Sequence, residues 1–299
     1  MSDFDLSIII CSWNTIDDTR ACLQSLEAVR DECSFEVIVV ENNSEDGSAE
    51  MVAAEFPWVR LLPQSSNLGF TGGNNLGLSV RKGKHAFLLN SDAAVFPGAL
   101  KTLLEFHASH PKAAVLGPKV LNPDGSLQMS CRRFPNPAAA LFRSTFLGKL
   151  FPKNKLTRDY LMSDFNHDET RSVDWVSGCA LFAGFEFIEK VGFLDHEYFM
   201  FCEDVDWCWQ AHKNGFDVMY VPAAVVTHAI GRSTDKAPNR MIGRFHRSMF
   251  RFYVKNMLPE RPFLWRPFAL LGAALGLSAR ATLFIIKNKL DILKRKWKR

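Results

Sequence analysis

Short β-branched runs alternating with helical periods constrain this chain more than any other feature. Residues 6–11, 35–40 and 59–62 are each too short for a helix and read as buried strands. Between the first two, residues 15–29 carry Ile16, Cys22, Leu23, Leu26 and Val29 at helical spacing. A second helix is predicted over residues 48–55. This alternation implies βαβ units, right-handed crossovers and a mostly parallel central sheet flanked by helices. The fold class is α/β.

Within that frame one stretch stands out, Phe87-Leu88-Leu89-Asn90-Ser91-Asp92-Ala93-Ala94-Val95. An apolar strand breaks into Asn-Ser-Asp and leaves through Pro97-Gly98, so a carboxylate sits at the C-terminal mouth of a strand. Open α/β sheets bind ligands at that rim, and oxygen ligands there suit a hard divalent cation on phosphates. The plainer alternative is that Asp92 caps the helix predicted after Pro97.

Upstream, Asn67-Leu68-Gly69-Phe70-Thr71-Gly72-Gly73-Asn74-Asn75 reads as a glycine-rich loop entering a helix at residues 76–82. Its glycines would permit close backbone approach and leave helix N–H groups for an anion. A turn without ligand has the same composition. Downstream, residues 121–127 read as a hairpin with a tight turn, and residues 132–171 have the irregular character of a binding loop. That segment brings Arg132, Arg133, Arg143 and Lys149. Residues 174–182 resume strand character, and a short helix is expected over residues 185–191. An aromatic run then passes into a helix whose first turn holds Glu203, Asp204 and Asp206. Acids there complement the helix dipole, but three among aromatics exceed what capping needs, and one partly desolvated carboxylate suits a general base. His228 closes a further apolar run, as a core group or a metal ligand.

The 299 residues are 47% apolar, enough for one large core, and seven scattered cysteines without a CxxC pair fit reduced thiols in the cytosol. No signal peptide is expected from the acidic start. The net charge of +4 gathers at the end of the chain, where eight Lys or Arg and one acid follow from Arg280 onward. This points to an anionic surface and not to nucleic acid. Residues 241–257 are predicted helical with Arg244, Arg247, Arg251 and Lys255 on one face, solvated or facing an anion. Residues 267–279 are apolar but number only thirteen, short of the ~20 needed to cross a bilayer, so the expectation is a helix lying in the membrane interface or a core-packing helix with a solvated tail.

Taken in order, these motifs resemble the inverting glycosyltransferases of family two with the GT-A fold, nearest the rhamnosyltransferase-like enzymes of bacterial surface polysaccharides. The resemblance spans residues 6–255. It rests on Ser7-Ile8-Ile9-Ile10-Cys11-Ser12-Trp13-Asn14, Glu41-Asn42-Asn43-Ser44-Glu45-Asp46-Gly47, Asn67-Leu68-Gly69-Phe70 with Gly73-Asn74, and Leu89-Asn90-Ser91-Asp92. Trp175-Val176-Ser177-Gly178, Cys202-Glu203-Asp204-Val205-Asp206, and His228 with Gly231 and Ser233 complete it. It implies that Asn90-Ser91-Asp92 stands at the family's DXD position, with Asp92 holding Mg²⁺ or Mn²⁺ and His228 assisting. Asn14, Glu41, Asn43, Asn67, Gly69, Phe70, Gly73, Asn74, Trp175 and Gly178 would border a dTDP- or UDP-sugar. Asp204 would be the catalytic base, supported by Glu203 and Asp206. The implied layout is a GT-A domain over residues 1–258, with a nucleotide-sugar half (1–117) and an acceptor half (118–258). Residues 259–299 would be a helical, basic, amphipathic extension holding the enzyme peripherally at the inner face of the plasma membrane, near a glycan or lipid-linked acceptor. A nucleotidyltransferase and a glycan-binding scaffold are the rival readings; the first would place a glycine-rich basic loop after the first strand, where Cys11-Ser12-Trp13-Asn14 stands.

Overall fold

The computed structural model describes residues 2–136, 150, 154–229 and 238–297. Arg143, Lys149, Gly231 and Ser233 lie outside the described residues. Strands β1 (Phe4–Ser12), β2 (Phe35–Glu41), β3 (Arg60–Pro63) and β4 (Gly83–Asn90) run parallel in the order β3-β2-β1-β4. Helices α1 (Ile16–Glu27), α2 (Ser48–Glu55) and α3 (Gly69–Val80) make the crossovers. The sheet continues through β11 (Ala180–Ala183), which is antiparallel to β4, then β6 (Ala113–Leu121) and β12 (Asp217–His228), parallel to each other, and ends on β5 (Ala93–Val95). Helix α4 (Ala99–Ser109) connects β5 to β6. Leu6, Ile8 and Ile10 face the α1–α2 layer, whereas Ile9 faces the other side with Leu78 and Leu88. Burial on both faces is why these strands read as continuous apolar runs without alternation.

The register puts the strand ends on one rim: Ser12 pairs with Glu41, and Cys11 with Asn90. A second, two-stranded sheet of β8 (Cys131–Arg132) and β10 (Trp175–Val176) leads through a turn into β11. The remaining described elements are β7 (Leu127–Gln128), α5 (Lys155–Leu161), β9 (Arg171–Ser172), α6 (Phe185–Val191), α7 (Glu203–Lys213), α8 (Pro238–Phe252) and α9 (Arg266–Trp297).

Three expectations change. The run over residues 87–95 is not one strand: Ser91 and Asp92 form a turn between β4 and β5, and the helix after Pro97 is capped by Gly98, so Asp92 caps nothing. The glycine-rich stretch is helical from Gly69, not from residue 76. Tertiary packing overrides the low helix propensity of its glycines, because a Cβ on Gly73 would collide with Cys11 Sγ, and one on Gly69 would lie 2.5 Å from the Phe199 carbonyl. The apolar tail is one helix running through Arg280, and residues Phe263–Asp291, 29 in all, are long and apolar enough to cross a membrane. The length argument against a span therefore fails.

Packing of α6 against the sheet buries His85, whose Nδ1 accepts a hydrogen bond from the Phe185 amide. Burial, reinforced by neighbouring His107, pushes its pKa down to about 4. The unfolded chain therefore binds the proton first, and stability present above pH ~6.5 is lost as pH falls toward 4. Between pH 7 and pH 5 the wild type should lose about 2 kcal/mol more than a His85→Gln variant in urea unfolding. Equal losses would show that His85 does not drive the acid sensitivity.

Candidate active site

Asn90 ends β4, Asp92 sits in the turn after it, and His228 ends β12 opposite Ala93. Asp92 Oδ1 lies 3.2 Å from His228 Nε2, both side chains only about a tenth exposed. Asn90 Nδ2 is 3.1 Å from the same ring nitrogen, and the Ala229 amide donates to the Asp92 carbonyl. The turn is pinned from below by Ser91 Oγ, 3.0 Å from Thr15 Oγ1.

The second cluster is built on α7. Phe201 and Cys202 both take left-handed backbone (φ 71° and 64°) to turn the chain into this helix. Such strain in bulky residues is held only where the surroundings impose it, and it concentrates at functional sites. Asp204 Oδ2 accepts from the Gly178 amide at 2.9 Å, and Oδ1 from Val205. A Cβ on Gly178 would lie 3.3 Å from both Asp204 Cβ and the Phe70 ring. Burial raises the Asp204 pKa while the two amides oppose the rise. Glu203 is more extreme: burial and then the charge of Asp204 push it well above the usual carboxylate range, and its Oε2 lacks a partner. The N–H donors on Asp204 favour its charged form over that of Glu203, which has no such donor on Oε2.

The two clusters touch through the β10–β11 turn. Gly178 donates to Asp204, and the carbonyl of the next residue, Cys179, accepts from the Asn90 amide at 2.9 Å. Burial pushes the Cys179 thiol up to about 12, with contributions from the charges of both Asp204 and Asp92.

Other sequence-predicted residues take different parts. Asp206 is fully enclosed by groups that sequence reasoning missed: Lys255 Nζ at 2.7 Å and Asn256 Nδ2 at 2.6 Å. Lys255 also reaches Asp195, as does Arg251, and although burial opposes it these cations hold Asp195 at about 2. Arg244 lies 3.7 Å over the Phe199 ring. The expected solvated or anion-binding basic face is therefore largely engaged within the fold. Glu41 is buried and spends Oε1 on the Ser44 amide. Asn14 Oδ1 accepts from Glu45, which laces the loops after β1 and β2 together, with Asn14 and the exposed Asn43 both at positive φ. The N-terminal amides of α3 are not free: Gly69 donates to Asn67 Oδ1, Phe70 and Thr71 to the Phe199 carbonyl. The neighbouring Leu68 amide donates to Asn42 Oδ1, and Asn42 Nδ2 also reaches Gly69 O, a brace adjacent to Glu41 that the motif itself could have suggested. Asn74 is buried, its Nδ2 donating to Phe70 O. Trp175 Nε1 donates to Arg133 O and its ring lies beneath Arg132.

Asp92 and His228 fit a divalent cation. Among the described residues no group of three or more His, Cys, Asp or Glu side chains gathers, so the protein offers one carboxylate and one imidazole beside the Asn90 amide. Mg²⁺-type sites commonly take one or two carboxylates and complete their shell with substrate phosphates and water. Asp92 would carry that role without a second acid at position 90.

An Asn-Ser-Asp turn at the strand rim, joined through the β10–β11 turn to a carboxylate at the start of α7, has the layout of a ligand site in an open α/β sheet. The family model for glycosyl transferase family 2 matches residues 7–166. An N-acetylglucosaminyl-diphospho-decaprenol L-rhamnosyltransferase of Mycobacterium tuberculosis is 32% identical over 72% of this chain and 73% of its own. Rhamnosyltransferase WbbL of Escherichia coli is 25% identical over 86% of this chain and 96% of its own. The chain belongs to glycosyl transferase family 2 and is a glycosyltransferase. Solved structures agree on the fold. A Pyrobaculum calidifontis mannosyltransferase, in complex with GDP-Man and Mn²⁺, aligns with a TM-score of 0.56 at 16% identity over 98% of this chain and 83% of its own. S. aureus TarS aligns with a TM-score of 0.56 at 17% identity over 85% of this chain, which spans 40% of the TarS chain.

Proposed function

We propose that this enzyme moves rhamnose, with inversion, from a dTDP- or UDP-linked donor to a hydroxyl of a diphospho-lipid-linked sugar in surface-polysaccharide synthesis. The observation that carries the reading is the backbone bridge Asp204–Gly178–Cys179–Asn90, which links the proposed base to the strand end that leads into the Asp92–His228 pair. The M. tuberculosis relative, an N-acetylglucosaminyl-diphospho-decaprenol L-rhamnosyltransferase, supports the choice of sugar and lipid.

Asp92 and His228 would hold Mg²⁺ or Mn²⁺ against the donor diphosphate. The bound ion supplies Lewis-acid neutralisation of the departing nucleoside diphosphate. Asp204 takes the proton of the acceptor hydroxyl as its oxygen forms a bond to the anomeric carbon. On the opposite face, the bond from that carbon to the diphosphate oxygen breaks. The Gly178 and Val205 amides favour Asp204 as the anionic acceptor of that proton, and Arg132 adds positive charge near it. Asn14, Glu41, Asn43, Asn67 and the start of α3 border the nucleotide in this reading, with Trp175 and Phe70 closer to the sugars.

The test incubates the purified protein with dTDP- and UDP-sugars, Mg²⁺ or Mn²⁺, and a polyprenyl-diphosphate-linked N-acetylglucosamine. Release of nucleoside diphosphate with extension of the lipid supports the proposal. Failure to extend that acceptor with any rhamnosyl donor overturns it.

The enzyme would work at the inner face of the membrane. Helix α9 rests on α8 through Asn288–Asn239 and through Arg280 over the Phe245 ring, while Phe268, Leu271, Leu275, Leu283 and Ile286 are exposed. Apolar residues followed by a cluster of Lys and Arg suit an anionic bilayer. Deleting residues 263–299 should release the protein from anionic vesicles in flotation, and unchanged binding would remove the anchor.

A further inference from the structure

We infer that Gln128, on the hairpin between β6 and β7, is a positioning residue that fixes the tautomer of His228 and so turns its Nε2 lone pair toward Asp92. The metal-binding arm of this inference rests on the proposed cation site; the tautomer itself does not.

The hairpin was visible in the sequence but had no part in the reaction. Its hydrogen bonds run in one direction. Asp124, at the turn, can only accept, and it takes the Ser126 hydroxyl proton at 2.6 Å. That hydroxyl oxygen is thereby left to accept from Asn122 Nδ2 at 2.9 Å. Asn122 then presents Oδ1, which accepts from Gln128 Nε2 at 3.0 Å. The same Nε2 donates to the His228 carbonyl at 3.1 Å, an atom that can only accept. Two acceptors on one side settle the orientation of the Gln128 amide. Its Oε1 must face the ring, 2.8 Å from His228 Nδ1.

In the neutral imidazole one nitrogen donates and the other accepts, so the proton belongs on Nδ1 and the lone pair on Nε2. That lone pair sits 3.2 Å from Asp92 Oδ1 and 3.1 Å from Asn90 Nδ2. In the opposite tautomer Nε2–H would donate straight to Asp92 and fill the gap between them with a proton. Nδ1 would then face Oε1 with two lone pairs opposed. The hairpin thus selects the one tautomer in which Nε2 keeps a lone pair, accepting from the Asn90 amide, that a cation could take over beside the Asp92 oxygen. A hydrogen bond on the far ring nitrogen commonly orients metal-binding histidines, and its loss typically costs 10- to 100-fold in affinity.

The experiment uses the full chain, ¹⁵N-labelled at histidine, at pH 8. Nitrogen NMR reads the His228 tautomer without metal, with a His228→Gln variant to assign the signal. Electron paramagnetic resonance then measures free Mn²⁺ in the presence of UDP or dTDP. The wild type should carry its proton on Nδ1. In Gln128→Met, which keeps the length but not the acceptor, the proton should move to Nε2 and Mn²⁺ binding should weaken about 10- to 100-fold. Gln128→Glu restores an acceptor and should restore both readouts. Asn122→Leu, which frees the Gln128 amide without touching the ring, serves as the second variant and should give a partial shift. A Nδ1–H signal that persists in folded Gln128→Met, or Mn²⁺ binding equal to wild type, overturns the inference. Wild-type protein that binds no Mn²⁺ at all would instead refute the metal site, and the tautomer shift would still decide the role of Gln128.

Discussion

Asp204→Asn should lower the transfer rate by about 10²- to 10⁴-fold, the range a general base contributes, while Mn²⁺-dependent donor binding persists. Asparagine has nearly the same shape and keeps an oxygen for the Gly178 amide, which donates at 2.9 Å, so the β10–β11 turn should stay in place. What disappears is the carboxylate that the Gly178 and Val205 amides favour in its charged form. Single-turnover rates with saturating acceptor, beside a donor-binding titration, separate the two effects. Turnover close to wild type would sink the assignment.

The second large effect concerns stability. Asp206 is buried and each of its oxygens accepts a hydrogen bond, from Lys255 and from Asn256, so it ties α7 to the turn that follows α8. Lys255→Met would leave that carboxylate with the Asn256 amide alone. Stranding one partner of a buried ion pair costs about 3 to 5 kcal/mol. Because Lys255 is itself a third exposed, the lower end, about 3 kcal/mol, is expected in urea unfolding. Adding Asp206→Asn to Lys255→Met should recover most of the loss, since the stranded charge is gone. A loss under about 1 kcal/mol in the single variant would show that water replaces the lysine without penalty.

The α/β frame was legible because strands buried on both faces write themselves as apolar runs. Helices α2 and α6 fall where periodicity put them, at Ser48–Glu55 and Phe185–Val191. The first part of helix α3, residues 69–75, reads as a loop in the sequence for a physical reason. Glycine and asparagine argue against a helix locally, and only contact with Cys11 and Phe199 makes small residues necessary. That residues 93–95 form a separate strand was hidden because Ala93–Val95 is as apolar as β4, although it pairs with a different strand, β12. In the tail, Arg280 looked like a terminus of the apolar span. It lies instead over the Phe245 and Phe284 rings inside a continuous helix.

For the site, residues that act within a few positions of one another were readable: Asn90 with Asp92, and Glu203 with Asp204. Those that act by long-range contact were not. Gln128 meets His228 across 100 positions, and Lys255 meets Asp206 across 49. Neither forms a local pattern with its partner, so the basic stripe on α8 and the π-helical turn Tyr253–Met257 that follows looked like surface. Only the folded chain reveals where those charges go.

That turn has a consequence for how the two ends of this protein can be exchanged or varied. Lys255 and Asn256 are bolted to the catalytic helix, while the apolar segment starts at Phe263, a few residues later. A cut or graft made after about residue 258 should leave the base and its supports whole, whatever is attached beyond it. One made before Lys255 removes counter-charges from the interior, and its loss of activity would say nothing about membranes. Any catalytic unit cut from this chain should therefore keep these two polar side chains, which lie beyond the last residue of α8.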